Sequence, residues 1–185
     1  MNAFWNYFWP AIAAGIVIGF IAGLIAFRAA RLPAKTTEAD VAAAQSQGRG
    51  RRIRVIIIGA LVSVAAASLW HGPLGAADRF VRNVEQAAHQ ILLDNDAPAG
   101  MTAQIHHAPL TRQMILSGPG NDFQRAESAR LIEEISGVSS AGWTRSPGIP
   151  LIAQGTIAAV LGFLLGLLLA YLVELRRRYN AQWNW

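Results

Sequence analysis

Three long runs of apolar residues dominate the hydrophobic pattern of the chain. They cover residues 9–27, 55–70 and 157–173, and the last run extends back to Ile149. A helix that crosses a bilayer needs about 20 mostly apolar residues, and a snorkelling Arg54 lengthens the short second run. We therefore predict three transmembrane α-helices. The predicted segments are 1–30 (N-terminal region and first helix), 53–70 and 149–175.

The region between the second and third runs has the shorter periodicities of a water-soluble fold. Apolar residues recur at helical spacing in 78–93 and 123–135, and strand patterns occupy 101–107, 110–118 and 138–143. The predicted fold class is a membrane protein with three transmembrane α-helices plus a small α+β extramembrane domain. This domain, with the element order α-β-β-α-β, is expected at 71–148.

The two soluble helices have predicted ends and predicted buried faces. Asp78 is expected to cap the start of the first helix, and Asn121 or Asp122 the start of the second. Gly137 is expected to end the second helix. The expected buried face of the first helix consists of Phe80, Val84, Ala87, Ala88 and Ile91. The expected buried face of the second consists of Phe123, Ala126, Ala129 and Ile132.

Charged residues are scarce overall but concentrated in two segments. They make up 15% of the chain, against about 25% in ordinary soluble domains. The loop 31–52 and the tail 176–185 are rich in arginine, and basic residues beside spans stay in the cytoplasm. With three spans, the N-terminus and the domain at 71–148 are then expected on the periplasmic side. The predicted location is the bacterial inner (cytoplasmic) membrane, as a multi-pass protein.

The basic residues beside the spans are interpreted as determinants of topology and as contacts to lipid head groups. Nucleic acid is rejected as a partner because "GRGRRIR" directly abuts a span, where topology and anionic lipid explain its charge. The residues assigned to this role are Arg28, Arg31, Arg51, Arg52, Arg54, Arg176, Arg177 and Arg178.

Small residues recur every four positions in each span. They are Gly15, Gly19 and Gly23 in the first, Gly59, Ser63 and Ala67 in the second, and Gly162 and Gly166 in the third. Missing side chains let helices approach closely, which drives packing in lipid. One interpretation is that the three helices pack on one another. The other is that one face, above all that of the first span, docks on another membrane subunit or on a second copy.

Residue types that carry catalysis or transport are poorly placed in this sequence. No span contains a charged residue or histidine at depth, so a transporter formed by this chain alone is not expected. Cysteine is absent, and the adjacent His106 and His107 would point to opposite faces of a strand. No enzyme activity, cofactor or metal site is therefore predicted.

The run "ILSGPGNDFQRAESARLIEEISGVSSAGW" resembles the BON domain. The shared pattern is an apolar strand that ends in Leu-Ser-Gly, a turn, a helix with spaced alanines, and "GV" before a final strand. The residues that carry it are Leu116, Ser117, Gly118, Ala126, Ala129, Gly137 and Val138. The resemblance covers about 78–145, and Pro119 departs from the family pattern. It implies an envelope or periplasmic module that binds phospholipid or protein without catalysis.

The expected function is that of a non-catalytic accessory or scaffold subunit of a larger membrane complex. Short connections at 71–77 and 144–150 hold the soluble domain close to the membrane surface. The expected partners are other integral membrane subunits, or copies of the chain itself, and phospholipid head groups. Two alternatives stand beside this hypothesis. One is a membrane-anchored phospholipid-binding or envelope-stress module, and the other is a channel component formed by oligomerisation.

Overall fold

The structure, a computed structural model, describes residues 3–28 and 38–183, with side chains for 3–28 and 48–181. The elements of the described part are α1 (Ala3–Phe27), α2 (Glu38–His71), α3 (Ala76–Asp94), β1 (Thr102–His107), β2 (Leu110–Ser117), α4 (Asp122–Glu133), β3 (Ser140–Gly142) and α5 (Leu151–Trp183). This order confirms the predicted fold class, including the α-β-β-α-β arrangement of the small domain between α2 and α5.

Three of the described helices are long and apolar enough to cross a membrane. The candidate spans are Ala3–Phe27, Gly48–His71 and Leu151–Ala181. Each contains the stretch of about 20 residues that the hydrocarbon layer requires. The chain is thus a multi-pass membrane protein with three candidate spans, as predicted.

Two of these helices run further into polar sequence than predicted. α2 begins at Glu38, so the described part of the predicted loop 31–52 is helical, and α5 continues through Trp183 into the predicted tail. A helix that is already formed in a span extends readily through Ala, Gln and Arg, because these residues have high helix propensity. Arg31, one of the residues assigned to topology, lies outside the described residues.

One compact unit, formed by Ala11–Ala67 and Thr156–Trp185, holds most of the three long helices. Its interior consists of small residues around one aromatic ring. The buried side chains include Ala22, Ala26, Ala159, Phe163 and Ala170. The large aliphatic side chains point outward instead, among them Ile57, Leu61, Leu164 and Leu168. This arrangement is typical of a bundle in lipid, where close packing of backbones replaces the hydrophobic effect as the source of association.

The other compact unit, formed by Met1–Pro10 and Ser68–Gly155, contains the small domain, and we call residues 72–150 the α/β domain. Its sheet has the order β1-β2-β3. β1 pairs antiparallel with β2, where Ile105 lies opposite Met114, and β2 pairs parallel with β3. α3 packs on β1, and α4 packs on β3 and on α3. The three predicted strands are confirmed, and β3 is short.

The buried face of α3 is close to the predicted one. Phe80, Val84 and Ala88 are buried as expected, while Ala87 and Ile91 are only half-buried. The helix begins at Ala76, with Gly75 as its N-cap and no side-chain cap, so the expectation that Asp78 caps it is wrong. The short turn after α2 needs a left-handed backbone at Gly75, with φ of 65°, and glycine adopts it without a Cβ clash.

The start of α4 is formed by a capping box. The Asn121 side chain accepts a hydrogen bond from the backbone N–H of Gln124 at 2.8 Å, and the Gln124 side chain accepts one from the N–H of Asn121 at 3.0 Å. These bonds satisfy two N–H groups that a helix start otherwise leaves free. The prediction of Asn121 as a cap is confirmed. The helix ends at Glu133, earlier than the expected Gly137.

The predicted buried face of α4 is wrong at two of its four positions and confirmed at Ile132. Phe123 is 79% exposed and Ala126 is also exposed, whereas Ser128 and Ile132 are buried. Ala129 is half-buried. A helix with so few large apolar residues offers two faces of similar hydrophobicity. Its packing against α3 and β3 decides between them, and the spacing of apolar residues alone does not.

Candidate functional site

Tyr7 of α1 lies at the point where the ends of three long helices meet. Its side chain is only 3% exposed, and its hydroxyl hydrogen-bonds to Nδ1 of His71 at the end of α2. The same hydroxyl donates to the carbonyl oxygen of Leu151, the first residue of α5, at 3.4 Å. The Trp70 indole N–H donates to the backbone carbonyl of Tyr7 at 2.9 Å. α1, α2 and α5 are therefore joined by polar contacts around one buried side chain.

The α/β domain is attached to these helix ends by side chains of α3 and β2. The Phe80 ring of α3 packs on the Tyr7 ring, with 5.6 Å between the centroids. The Arg112 guanidinium of β2 lies 5.0 Å from the centroid of the Phe4 ring in α1. Its Nη1 donates to the Gln154 side chain in α5 at 3.2 Å. The first residues of α1 and α5 and the last residues of α2 thus belong to the packed core of this compact unit.

Arg112 is a partly buried cation with neutral partners. In addition to the hydrogen bond from Nη1 to Gln154, the Nε of Arg112 donates to the carbonyl oxygen of Gly137 at 2.8 Å. Burial lowers the pKa of its guanidinium from the ordinary value, although arginine keeps its charge in proteins. Among the described ion pairs, none involves Arg112. A charge that is held by carbonyls and an aromatic face depends on their positions, so Arg112 ties β2 to the helix ends in one geometry.

A cavity of about 270 Å³ opens beside Tyr7, and we call it the Arg79 cavity. Its lining consists of Ala3, Asn6, Tyr7, Trp70, Ala76, Arg79, Phe80 and Asn83. The Arg79 guanidinium lies 5.3 Å from the centroid of the Trp70 ring, and its Nη1 donates to the carbonyl oxygen of Leu74 at 2.6 Å. The cavity therefore combines apolar walls with one cation and two amide side chains.

Sequence reasoning missed both the Tyr7 cluster and the Arg79 cavity. Tyr7 and Trp70 are aromatic residues of a type that is enriched at span ends, so their residue types alone do not mark them as part of a site. The signal that the sequence offers is Arg79, nine positions after the end of the predicted span at Trp70, in "WHGPLGAADR". That signal becomes specific only when the ends of α1 and α2 are known to be neighbours.

The predicted small-residue positions of α1 and α5 lie against each other within this chain. A Cβ atom at Gly15 would clash with the carbonyl oxygen of Ala159, and one at Gly19 would clash with the backbone of Phe163. In return, Cβ atoms at Gly162 and Gly166 would clash with the backbone carbonyls of Ile12 and Ile16. At Gly23 a Cβ would lie 2.5 Å from that of Ala170. These glycines permit a backbone-to-backbone approach that no larger residue allows.

The small-residue face of α2 is also covered by the chain itself. A Cβ at Gly59 would lie 2.9 Å from the Ala22 Cβ and from the Phe163 ring. The Ser63 hydroxyl is buried and donates to the carbonyl oxygen of Ala159 at 3.3 Å, and Ala67 is buried as well. The interpretation that the three helices pack on one another therefore describes this bundle. Docking of the first-span glycine face on another subunit stays a prediction, and it would compete with α5.

The predicted basic residues are exposed at the polar ends of the helices. Arg28, Arg51, Arg52, Arg54, Arg176, Arg177 and Arg178 all have exposed side chains. Glu174 pairs with Arg178 at 3.2 Å and with Arg177 at 3.8 Å. Arg178 also donates to the carbonyl oxygen of Phe27 at 3.2 Å, which satisfies an acceptor at the end of α1. Contact of these arginines with lipid stays a prediction.

The histidines of β1 have partners of their own. His106 Nδ1 lies 2.9 Å from the carbonyl oxygen of Pro109, and His107 Nε2 lies 3.7 Å from the Glu85 carboxylate. The pairing register with β2 shifts between Ile105 and His107, so the two rings lie at an irregular end of the strand. In the part of the chain that the structure describes, no three His, Cys, Asp or Glu side chains are grouped to hold a metal ion.

The geometry supplies two features on which an argument about function can rest. One is the joint between the α/β domain and the helix ends at Tyr7 and Arg112, and the other is the Arg79 cavity beside it. Comparison with family models, with curated proteins and with solved structures finds no match to this chain.

Proposed function

We propose that the chain is a non-catalytic accessory or scaffold subunit of a larger membrane complex. The observation that supports this role is the buried joint around Tyr7, which packs the α/β domain and the ends of α1, α2 and α5 into one compact unit. A domain that only captured soluble ligands would work equally well on a flexible tether. A domain built onto helix ends presents its surface in a fixed position, which an assembly subunit requires.

The proposed placement follows from the arginines. Arg28 follows α1, Arg51 and Arg52 lie in the first turns of the candidate span Gly48–His71, and Arg176 lies in the last turns of the candidate span Leu151–Ala181. Since basic residues beside spans are retained in the cytoplasm, these ends lie inside and the α/β domain lies on the periplasmic face of the inner membrane. Alkaline phosphatase inserted at Gly120 should be active, because it folds only outside the cytoplasm. Activity of a cytoplasmic reporter at the same position would refute this placement.

The BON-like resemblance is part of the same proposal. The element order of the α/β domain agrees with it, and Gly118 has a physical reason to be glycine. Its φ is 123°, and an added Cβ would lie 2.7 Å from the Cα of Met101. This close approach explains the Leu-Ser-Gly end of β2 without any family argument, so the motif supports the resemblance only weakly. Non-catalytic binding is what both the resemblance and the residues favour.

Partner helices would contact the outward faces of the bundle, because the small-residue faces are already covered. Leu61 of α2 and Leu164 of α5 are exposed representatives of these outward faces. Purification of tagged chain in a mild detergent should yield a second membrane subunit, or a second copy, at fixed stoichiometry. A photo-crosslinking residue at Leu61 or Leu164 should give one adduct of defined mass, and one at the buried Ala159 should give none. Recovery of monomer without adducts would refute the proposal.

A second candidate function is the binding of phospholipid head groups. The Arg79 cavity favours it, because a cation, two amides and an indole ring line one space at the end of two spans. The accessory role does not depend on this cavity.

A further inference from the structure

We infer that the Arg79 cavity binds the phosphate of a phospholipid head group. This inference rests on the second candidate function and deepens it, since it names the anion that is bound and the side chain that binds it. The lining residues come from the first turns of α1, from the last residues of α2 and from α3. The inference rests on the position of the cavity, on its chemistry and on its size.

The position of the cavity corresponds to the height of lipid head groups. Asn6 and Tyr7 lie in the first turns of the span Ala3–Phe27, and Trp70 is the penultimate residue of the span Gly48–His71. The Trp70 indole bonds to the Tyr7 carbonyl, so these two span ends meet at the same level. Ends of spans lie at the boundary between hydrocarbon and water, where tryptophan is enriched. A ligand that enters the cavity from the membrane side would therefore present its polar head there.

The chemistry of the lining suits a phosphate anion. Within the described chain the lining contains one cation, Arg79, and no carboxylate. Asp78, the nearest acid in sequence, is exposed and does not line the cavity. A guanidinium carries five N–H donors in a planar fork that matches phosphate oxygens, and the described contacts of Arg79 use only its Nη1. The amides of Asn6 and Asn83 add neutral donors.

Arg79 is also held in place before any ligand arrives. Its guanidinium stacks over the Trp70 ring at 5.3 Å, and its bond to the Leu74 carbonyl fixes one end of the fork. A long side chain normally loses rotamer freedom when it binds, and a pre-positioned one loses less. The remaining donors are thus available at little entropic cost.

The volume of the cavity matches a head group better than a whole lipid. About 270 Å³ is slightly below the range of roughly 300–1,000 Å³ that encloses drug-sized ligands. A glycerophosphate head group fits this space, while the acyl chains remain in the surrounding hydrocarbon. Free inorganic phosphate offers the same anion without chains, so a test must separate the two sources.

The test is a lipid titration of the purified full-length chain, read by native mass spectrometry. Phosphatidylglycerol is compared with diacylglycerol of identical chains, which lacks the whole phosphoglycerol head group. The tightest phosphatidylglycerol adduct should persist at concentrations where diacylglycerol gives none. R79Q should weaken that adduct about tenfold or more, as expected for the loss of a charged hydrogen bond. R79K keeps the positive charge but loses the planar fork of N–H donors, so its affinity for phosphatidylglycerol should lie between those of the parent chain and of R79Q.

The matched control is R82Q, which removes the same charge from an exposed position one turn further along α3 and outside the cavity lining. It should leave the tightest adduct unchanged. Equal losses in R79Q and R82Q would show a general charge effect and overturn the site, and so would equal retention of phosphatidylglycerol and diacylglycerol. If inorganic phosphate binds with the same sensitivity to R79Q while lipid shows no preference, the assignment to lipid is wrong. Thermal unfolding of each variant checks its fold, and partner co-purification with R79Q tests the accessory role separately.

Discussion

Replacing Tyr7 by phenylalanine removes a single oxygen from the joint between the α/β domain and the helix ends. The ring contact with Phe80 is kept, so the change isolates the hydrogen bonds to His71 and to the Leu151 carbonyl. Each bond contributes about 0.5–1.5 kcal/mol net, and a buried polar group without a partner costs about 1–3 kcal/mol. Since His71 is only partly buried, we expect the free energy of unfolding to fall by about 1–3 kcal/mol.

Tyr171→Phe is the matched control, because the Tyr171 side chain is half exposed and its described contact is a ring contact with Phe27 that phenylalanine retains. Both variants would be solubilised in a mild detergent and unfolded reversibly by adding a denaturing detergent. Tryptophan fluorescence would follow the loss of tertiary structure. We expect Tyr171→Phe to change the unfolding free energy by less than about 0.5 kcal/mol. Limited proteolysis should cleave the segment 72–75 faster in Tyr7→Phe than in the parent chain. If the two variants behave alike in both assays, the hydroxyl does not hold the joint and the reasoning fails.

The same unfolding assay checks three further expectations. Gly19→Ala should lower the free energy of unfolding by about 1–3 kcal/mol, because the new Cβ overpacks the contact between α1 and α5. Gly48 has open space around it, so Gly48→Ala should be neutral or should stabilise the protein by up to about 1 kcal/mol. The opposite order of the two effects would contradict the packing. Asn121→Ala should cost about 0.5–2 kcal/mol through the lost cap, and restoration by aspartate or serine would separate capping from other effects. Ile132→Ala should cost about 2–5 kcal/mol and Phe123→Ser less than about 0.5 kcal/mol; a cost of Phe123→Ser as large as that of Ile132→Ala would show that the predicted face of α4, which contains both residues, is the buried one.

The parts of the fold that depend on local pattern were predictable. Three spans follow from apolar length alone, and the order of helices and strands in the α/β domain follows from periodicity and from turn residues. The cap at Asn121 followed from residue type. The buried face of α4 did not follow, because Phe123 is the largest apolar residue of the helix and is nevertheless exposed. Tertiary contacts select that face, and they are invisible to spacing.

The candidate sites depend on contacts between distant parts of the chain, which is why the sequence did not reveal them. Tyr7 and His71 are 64 positions apart, and Tyr7 and Leu151 are 144 positions apart. No local rule pairs them. The glycine spacing did predict a close approach of helices, yet it could not tell α5 from a foreign helix as the partner of α1. The structure distinguishes the two because backbone atoms of Ala159 and Phe163 occupy the space that side chains at Gly15 and Gly19 would need.

The glycines of α1 and α5 pack against each other within the chain, which limits the faces on which a partner helix can dock. The outward face of α5 is built from large leucines, namely Leu161, Leu164, Leu165, Leu168 and Leu172. In lipid, helices associate largely through close van der Waals packing, and their interfaces are enriched in small residues that let the backbones approach. We therefore expect a helix that docks on this face of α5 to supply the small residues itself. Sequencing the partner captured from position 164 tests this directly: a contact helix lined by bulky aliphatic residues would contradict the argument, and one with small residues four positions apart would support it.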